Sequence, residues 1–133
     1  TIPEGILSIA SDVFSRCINL TEITLPQSLL YLGERSFEYC WGLKSVRIPP
    51  NVVYVKRNAF QECKNLKEMW VFWDDPAAHI KFSGSYWEFP SGIFVKIFWE
   101  YNDCYLIVPK GTWKKYKEAL PWGDWRNFEI VER

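Results

Sequence analysis

Four cysteines, a single histidine and a pair of adjacent aspartates are the residues of this chain best able to do chemistry. Cys17, Cys40 and Cys63 recur at a constant interval of 23 residues, and Cys104 falls outside that series. A zinc site built on thiolates draws on two close pairs of ligands, and the even interval supplies none, nor a neighbouring His. Equal spacing instead stacks the three thiols in one column. Side chains in such a column run parallel, whereas a disulfide needs converging Cβ vectors. The expected state is therefore four buried free thiols filling small core slots, Cys104 among them at the opening of another strand, with no metal and no cofactor.

His79 lies in an irregular stretch with no third group nearby in sequence to hold it as a base, so it is not expected to catalyse. Asp74-Asp75 precede Pro76. Paired carboxylates can hold Ca²⁺ or work as acid and base, but adjacent ones in a turn more often accept the turn's own N–H bonds. No glycine-rich phosphate loop is present. Asn19-Leu20-Thr21 has the form of a glycosylation acceptor, yet Leu20 belongs to a core column described next. No catalytic residue is expected.

These residues are positioned by an internal repeat. Phe14, Phe37 and Phe60 share a register, as do Leu20, Leu43 and Leu66, then Ile23, Val46 and Met69, and Leu25, Ile48 and Val71. Pro3, Pro26 and Pro49 mark one point of each unit; Ile6, Leu29 and Val52, and Ile9, Leu32 and Val55, complete the pattern. Leu20 to Leu25 ends in alternating polar and apolar residues, as a strand with one buried face does, and Lys44 to Ile48 and Lys67 to Val71 repeat it. The proline after each strand lacks an N–H and releases the chain into a turn. Leu29 to Cys40 reads as a short strand or turn followed by a helical turn around Ser36 to Tyr39. A single coil cannot bury its apolar side, but stacked coils can, with the Phe column as an interior ladder.

Outward positions of the strands stack as well. Thr24, Arg47 and Trp70 form one exposed column and Glu22, Ser45 and Glu68 the next. These six residues are the candidate partner-binding set, with Trp and Arg being types enriched at binding hot spots and able to pair by cation–π attraction. The competing expectation is that the tail of the chain folds over Trp70 and Phe72. Tyr39 and Trp41, flanking Cys40, form a smaller aromatic pair at a loop edge.

The unit Phe-x-x-Cys-x-x-Leu-x-x-Ile-x-Ile-Pro resembles the BspA-like leucine-rich repeat of bacterial surface proteins, over residues 1–71. The tail is similar to that family's ending: Leu106-Ile107-Val108-Pro109-Lys110-Gly111 matches its strand, Tyr116 its short helix, and Trp122 with Trp125 approximates its close, while Asn127-Phe128-Glu129-Ile130-Val131 departs from the usual spacing. The resemblance implies a leucine-rich-repeat solenoid, mainly β with short helical turns, plus an aromatic-rich α+β C-terminal cap. It implies a secreted or cell-surface protein of Bacteroides-type bacteria, used for adhesion or other protein contacts.

Residues 1–73 are read as repeats and 74–133 as the cap of the same domain. The cap carries most of the excess among eight Trp, seven Tyr and nine Phe. Strands are expected at Ile93 to Trp99, Tyr105 to Val108 and Phe128 to Val131. A helix N-capped by Thr112 should end before Pro121, with Trp113, Tyr116 and Leu120 on its inner face. Thr1-Ile2-Pro3 reads as the end of an earlier unit, so further repeats are expected ahead of it. Sixteen basic and sixteen acidic residues cancel, which leaves no global field to draw nucleic acid. Lys110, Lys114, Lys115 and Lys117 read as the solvated face of the helix. No apolar run suffices to span a membrane. The function so implied is a non-catalytic protein-interaction or adhesion module whose partner is a host or bacterial surface protein. The alternative is a carbohydrate-binding module using exposed aromatics to hold a glycan.

Overall fold

A computed structural model describes residues 1–56, 58–76, 104–119 and 129–133. The chain winds as a β-solenoid with two parallel sheets on different sides of each coil. The shorter sheet holds β1 (Ser8–Ile9), β2 (Tyr31–Leu32) and β4 (Tyr54–Val55), in the order β1-β2-β4. Ser8 lies opposite Tyr31 and Tyr31 opposite Tyr54, so the ladder reproduces the repeat. The longer sheet runs β3 (Ser45–Ile48), β5 (Glu68–Val71), β6 (Tyr105–Val108), β7 (Glu129–Glu132), again parallel. Val46, Ile48, Met69 and Val71 point into the core while Arg47 stays outside, as period-two alternation requires.

The core is the set of columns foreseen in the repeat, except that in the first unit Ile6 is 40% exposed and Phe14, Cys17, Leu20 and Ile23 are only partly buried. Phe14 stacks on Phe37 at 5.1 Å between ring centroids, and Phe37 on Phe60 at 5.2 Å. Leu29, Leu32, Leu43 and Val52 are fully buried beside them. The four cysteines are free; Cys40, Cys63 and Cys104 are buried, but Cys17, at the end of the column with a neighbouring coil on one side only, is half-exposed rather than buried as expected. The thiols of Cys40 and Cys63 donate to the Phe14 and Phe37 carbonyl oxygens at 3.2 Å, so each thiol binds the coil before it.

Two readings of the repeat are corrected. The segment around Ser36 to Tyr39 is a bend with left-handed backbone at Arg35 and Tyr39, not a helical turn; Asp12 and Arg16, and Asn58 and Glu62, repeat it. The hydrogen bonds give the reason. Ser36, Glu38 and Cys40 bond within their own bend, to Gly33, Arg35 and Phe37. Phe37 and Tyr39 instead donate to Ala59 and Gln61 of the next coil, both at 2.8 Å. A helix would turn every N–H inward and forfeit these rungs between coils. Secondly, the stretch from Leu20 to Leu25 is not a strand. It receives bonds only at its ends, from Lys44 N–H to the Thr21 carbonyl and from Ile2 N–H to the Thr24 carbonyl, and Ile23 is only half-buried.

Past the repeats, β6 and β7 extend the long sheet. Helix α1 (Trp113–Ala119) packs on the core through Tyr116, whose hydroxyl donates to the Trp73 carbonyl at 2.9 Å. The Trp73 indole in turn donates to the Val52 carbonyl at 3.1 Å. Thr112 stands at the helix start, but its hydroxyl donates to the Pro109 carbonyl; the exposed amide of Trp113 is instead capped by the Glu132 carboxylate at 2.7 Å. Trp113 is exposed rather than inward, because a helix this short buries one narrow stripe, and Tyr116 occupies it. The last strand is observed at Glu129–Glu132, reaching one residue past the expected end at Val131. The Ile93 to Trp99 strand, His79, Leu120, Trp122, Trp125 and Phe128 lie outside the described residues.

Candidate functional site

The outward side of the long sheet carries the candidate set. Ser45 pairs with Glu68 and Arg47 with Trp70 across β3 and β5. Glu22 and Thr24 are exposed one coil earlier, beyond the hydrogen-bonded ladder. Past the repeats the register carries on: Glu68 faces Tyr105 and then Glu129, and Trp70 faces Ile107, which is buried, and then the half-buried Val131. Parallel register makes this continuity, since each outward residue has an outward neighbour on the next strand.

Trp70 is the centre of this surface. Its indole N–H donates to the Glu68 carboxylate at 2.9 Å. Arg47 lies over the ring with its guanidinium carbon 4.2 Å from the centroid, and Arg133 reaches the same ring at 5.6 Å. Phe72 stacks beside it at 6.4 Å. Trp70 is half-buried, whereas Phe72 stays 38% exposed and Tyr105 45%. Phe72, Tyr105, Ile107 and Arg133 were not in the sequence-based set. The interval from Glu68 to Tyr105 breaks the repeat, so register across that junction was not legible.

Other candidates resolve differently. Tyr39 and Trp41 do sit at one edge, but Arg16 covers the Tyr39 ring at 4.8 Å and Lys64 covers Trp41 at 5.4 Å. The α1 lysines are exposed; Lys117 lies over Trp113 at 4.5 Å, and Lys115 donates to the Asp74 carbonyl at 3.2 Å. Asp74 and Asp75 are exposed at the end of β5. A shallow groove of about 360 Å³ runs along the short sheet past Ser8, Tyr31, Tyr54 and Lys56. Its two tyrosine rings are tilted by 50°, so they offer no common flat face. Among the described residues no three His, Cys, Asp or Glu side chains gather as metal ligands do, and no helix is long and apolar enough to cross a membrane.

The three buried thiols are chemically quiet. Burial, reinforced by Cys17, pushes the Cys40 thiol from 9.0 up to about 11. Burial takes Cys104 to about 12 and raises Cys63 and the Tyr116 phenol as well. A thiolate, not a thiol, is the nucleophile, so these sulfurs are poor ones near neutrality. Each group holds its proton more tightly folded than unfolded, so its stabilising contribution is complete below about pH 9 and is lost as pH rises through the folded value. Denaturation at several pH values should show a plateau up to about pH 9 and a falling midpoint above it. A thiol reagent near pH 8 should label only the half-exposed Cys17 in the native chain and all four cysteines after unfolding; early labelling of Cys63 would contradict the burial described.

A model of the BspA type leucine rich repeat region, in six copies, matches residues 1–75. Among solved structures, the crystal structure of the pneumococcal vaccine antigen PcpA aligns with a TM-score of 0.61 at 18% identity, over 98% of this chain and 34% of that one. The chain thus spans about a third of that protein's length, and the likeness is one of fold. No curated protein matches the sequence significantly.

Proposed function

The chain belongs to the BspA type leucine rich repeat family, and from that premise we propose that it is a non-catalytic protein-interaction module of a secreted or cell-surface bacterial protein, binding a host or bacterial surface protein through the outward face of its long sheet. The observation that carries this reading is the ladder of outward residues from Ser45 and Arg47 through Glu68 and Trp70 to Tyr105, mixed in charge and centred on a half-buried Trp. Mixed-charge surfaces with a Trp–Arg centre suit protein partners, whose binding energy concentrates in such anchors. Adhesion is the use consistent with a surface location.

A glycan-binding reading draws on the exposed aromatics but has less support. Sugar rings need bare aromatic faces, and Trp41, Trp70 and Trp113 are each occupied by the protein's own cations. Probing arrays of extracellular proteins and of glycans with the labelled chain separates the two. The expected result is a protein ligand whose binding weakens roughly 30-fold, about 2 kcal/mol, in Trp70→Ala and is unchanged in Lys114→Ala. A glycan ligand, or a protein ligand indifferent to Trp70, would remove the basis of this proposal.

A further inference from the structure

We infer that the strand face recognises an acidic segment of its protein partner, whose carboxylates dock on Arg47 and Arg133 over the Trp70 ring. The inference rests on the strand-face reading above and names the chemistry of the partner.

Three observations carry it. First, two guanidiniums from different elements share one indole: Arg47 comes from β3, on one side of β5, and Arg133 follows β7, two strands away on the other. Every other cation–π pair described places one cation on its ring. Secondly, neither guanidinium is ion-paired among the described residues, unlike Arg35, which lies 3.5 Å from Asp12. Cation–π packing fixes the plane of an arginine and leaves its N–H donors along the edge, where a carboxylate can take two at once.

Thirdly, the acid of the face beside Trp70 is turned to another donor. Glu68 accepts the Trp70 indole N–H, while Glu132, paired with the buried Val108, belongs to the inward side of the sheet and caps α1 through the Trp113 amide. The Glu68 carboxylate is therefore held by an N–H group of the protein, and the arginines keep their donors for a partner. The neighbouring column, with Glu22, Glu68 and Glu129, repels an acidic segment displaced by one position. The surface thus selects register as well as charge, since like charges brought together disfavour the wrong alignment.

The test uses the full chain labelled with ¹⁵N and a peptide of eight glutamates as probe, with a peptide of eight glutamines as control. The Trp70 indole N–H resonance, identified by its absence in Trp70→Phe, reports the site. Expected is a saturable shift of that resonance with the glutamate peptide, none with the glutamine peptide, and suppression by salt. Arg47→Gln with Arg133→Gln should weaken binding about 10-fold or more, while Lys114→Gln with Lys117→Gln leaves it unchanged. Arg47→Lys with Arg133→Lys keeps the charge and packing, so partial binding there separates lost recognition from lost folding. No shift in the wild-type chain, an unaffected double glutamine variant, or tighter capture of a sulfated polysaccharide at the same residues would overturn the inference. A protein ligand lost in Trp70→Ala yet retained in the double arginine variant would sink the acidic-segment inference alone; a ligand indifferent to both variants would sink the strand-face reading with it.

Discussion

Phe37→Ala is expected to lower the stability of the chain by about 3–5 kcal/mol, measured by chemical denaturation. The ring is fully buried and is sandwiched between two others, nearly parallel to both at 9° and 4°. Truncation removes both stacking contacts and leaves a void flanked by Phe14 and Phe60. Closing that void would require the coils to approach each other, and the rungs from Phe37 to Ala59 and from Phe14 to Ser36 fix their separation. Little relaxation is therefore open to the site, which places the loss at the upper end of the usual range. The same change at Phe14, which is only partly buried, should cost less. Equal losses at the two positions, or a loss under about 1 kcal/mol at Phe37, would contradict a stacked interior.

The second large effect is expected at Gly33. A Cβ built there would lie 2.5 Å from the carbonyl carbon of Ala10, 2.5 Å from the amide nitrogen of Ser11 and 2.7 Å from the carbonyl oxygen of Ile9. All three are backbone atoms of the preceding coil, so no side chain can swing aside. The Gly33 N–H also donates to that Ile9 oxygen at 2.7 Å, which ties the two coils at the point where space is shortest. Gly33→Val should cost roughly 3 kcal/mol or more, in the range of severe overpacking. Contacts in a solenoid are between neighbours, so the damage should be local. Hydrogen exchange should show amides of residues 8–20 losing protection while those of β5 and β6 keep theirs. Uniform loss across the chain, or none, would argue against the close approach.

The repeat made the core legible because identical intervals in sequence become vertical neighbours in a stack. Phe14, Phe37 and Phe60, and the cysteines three residues after each, could be placed without coordinates for that reason. The bends were misread because local spacing around Ser36 to Tyr39 imitates a helical turn, and nothing in residue type announces that alternate N–H groups serve the next coil. Left-handed backbone at Arg35, Tyr39 and Glu62 carries no glycine signal. For the candidate face, Arg47 and Trp70 were visible from the period alone, as was their contact. Arg133 was not, because it reaches Trp70 across two strands whose register follows no repeat. The capping of α1 by Glu132 escaped for a similar reason: Thr112 satisfied the local rule, and the actual acceptor comes from another strand.

The alternating bonds of the bends have an evolutionary corollary. The two junctions between described bends use donors and acceptors at the same offsets, Phe14 to Ser36 and Arg16 to Glu38 in one and Phe37 to Ala59 and Tyr39 to Gln61 in the other, so duplicating or deleting one whole unit in the gene recreates a junction that already works. Inserting a single residue in a bend would instead exchange the inward and onward N–H groups for the rest of that bend and leave both coils mismatched. Among descendants of this sequence, length should therefore change by entire units, with smaller insertions confined to stretches outside the bends.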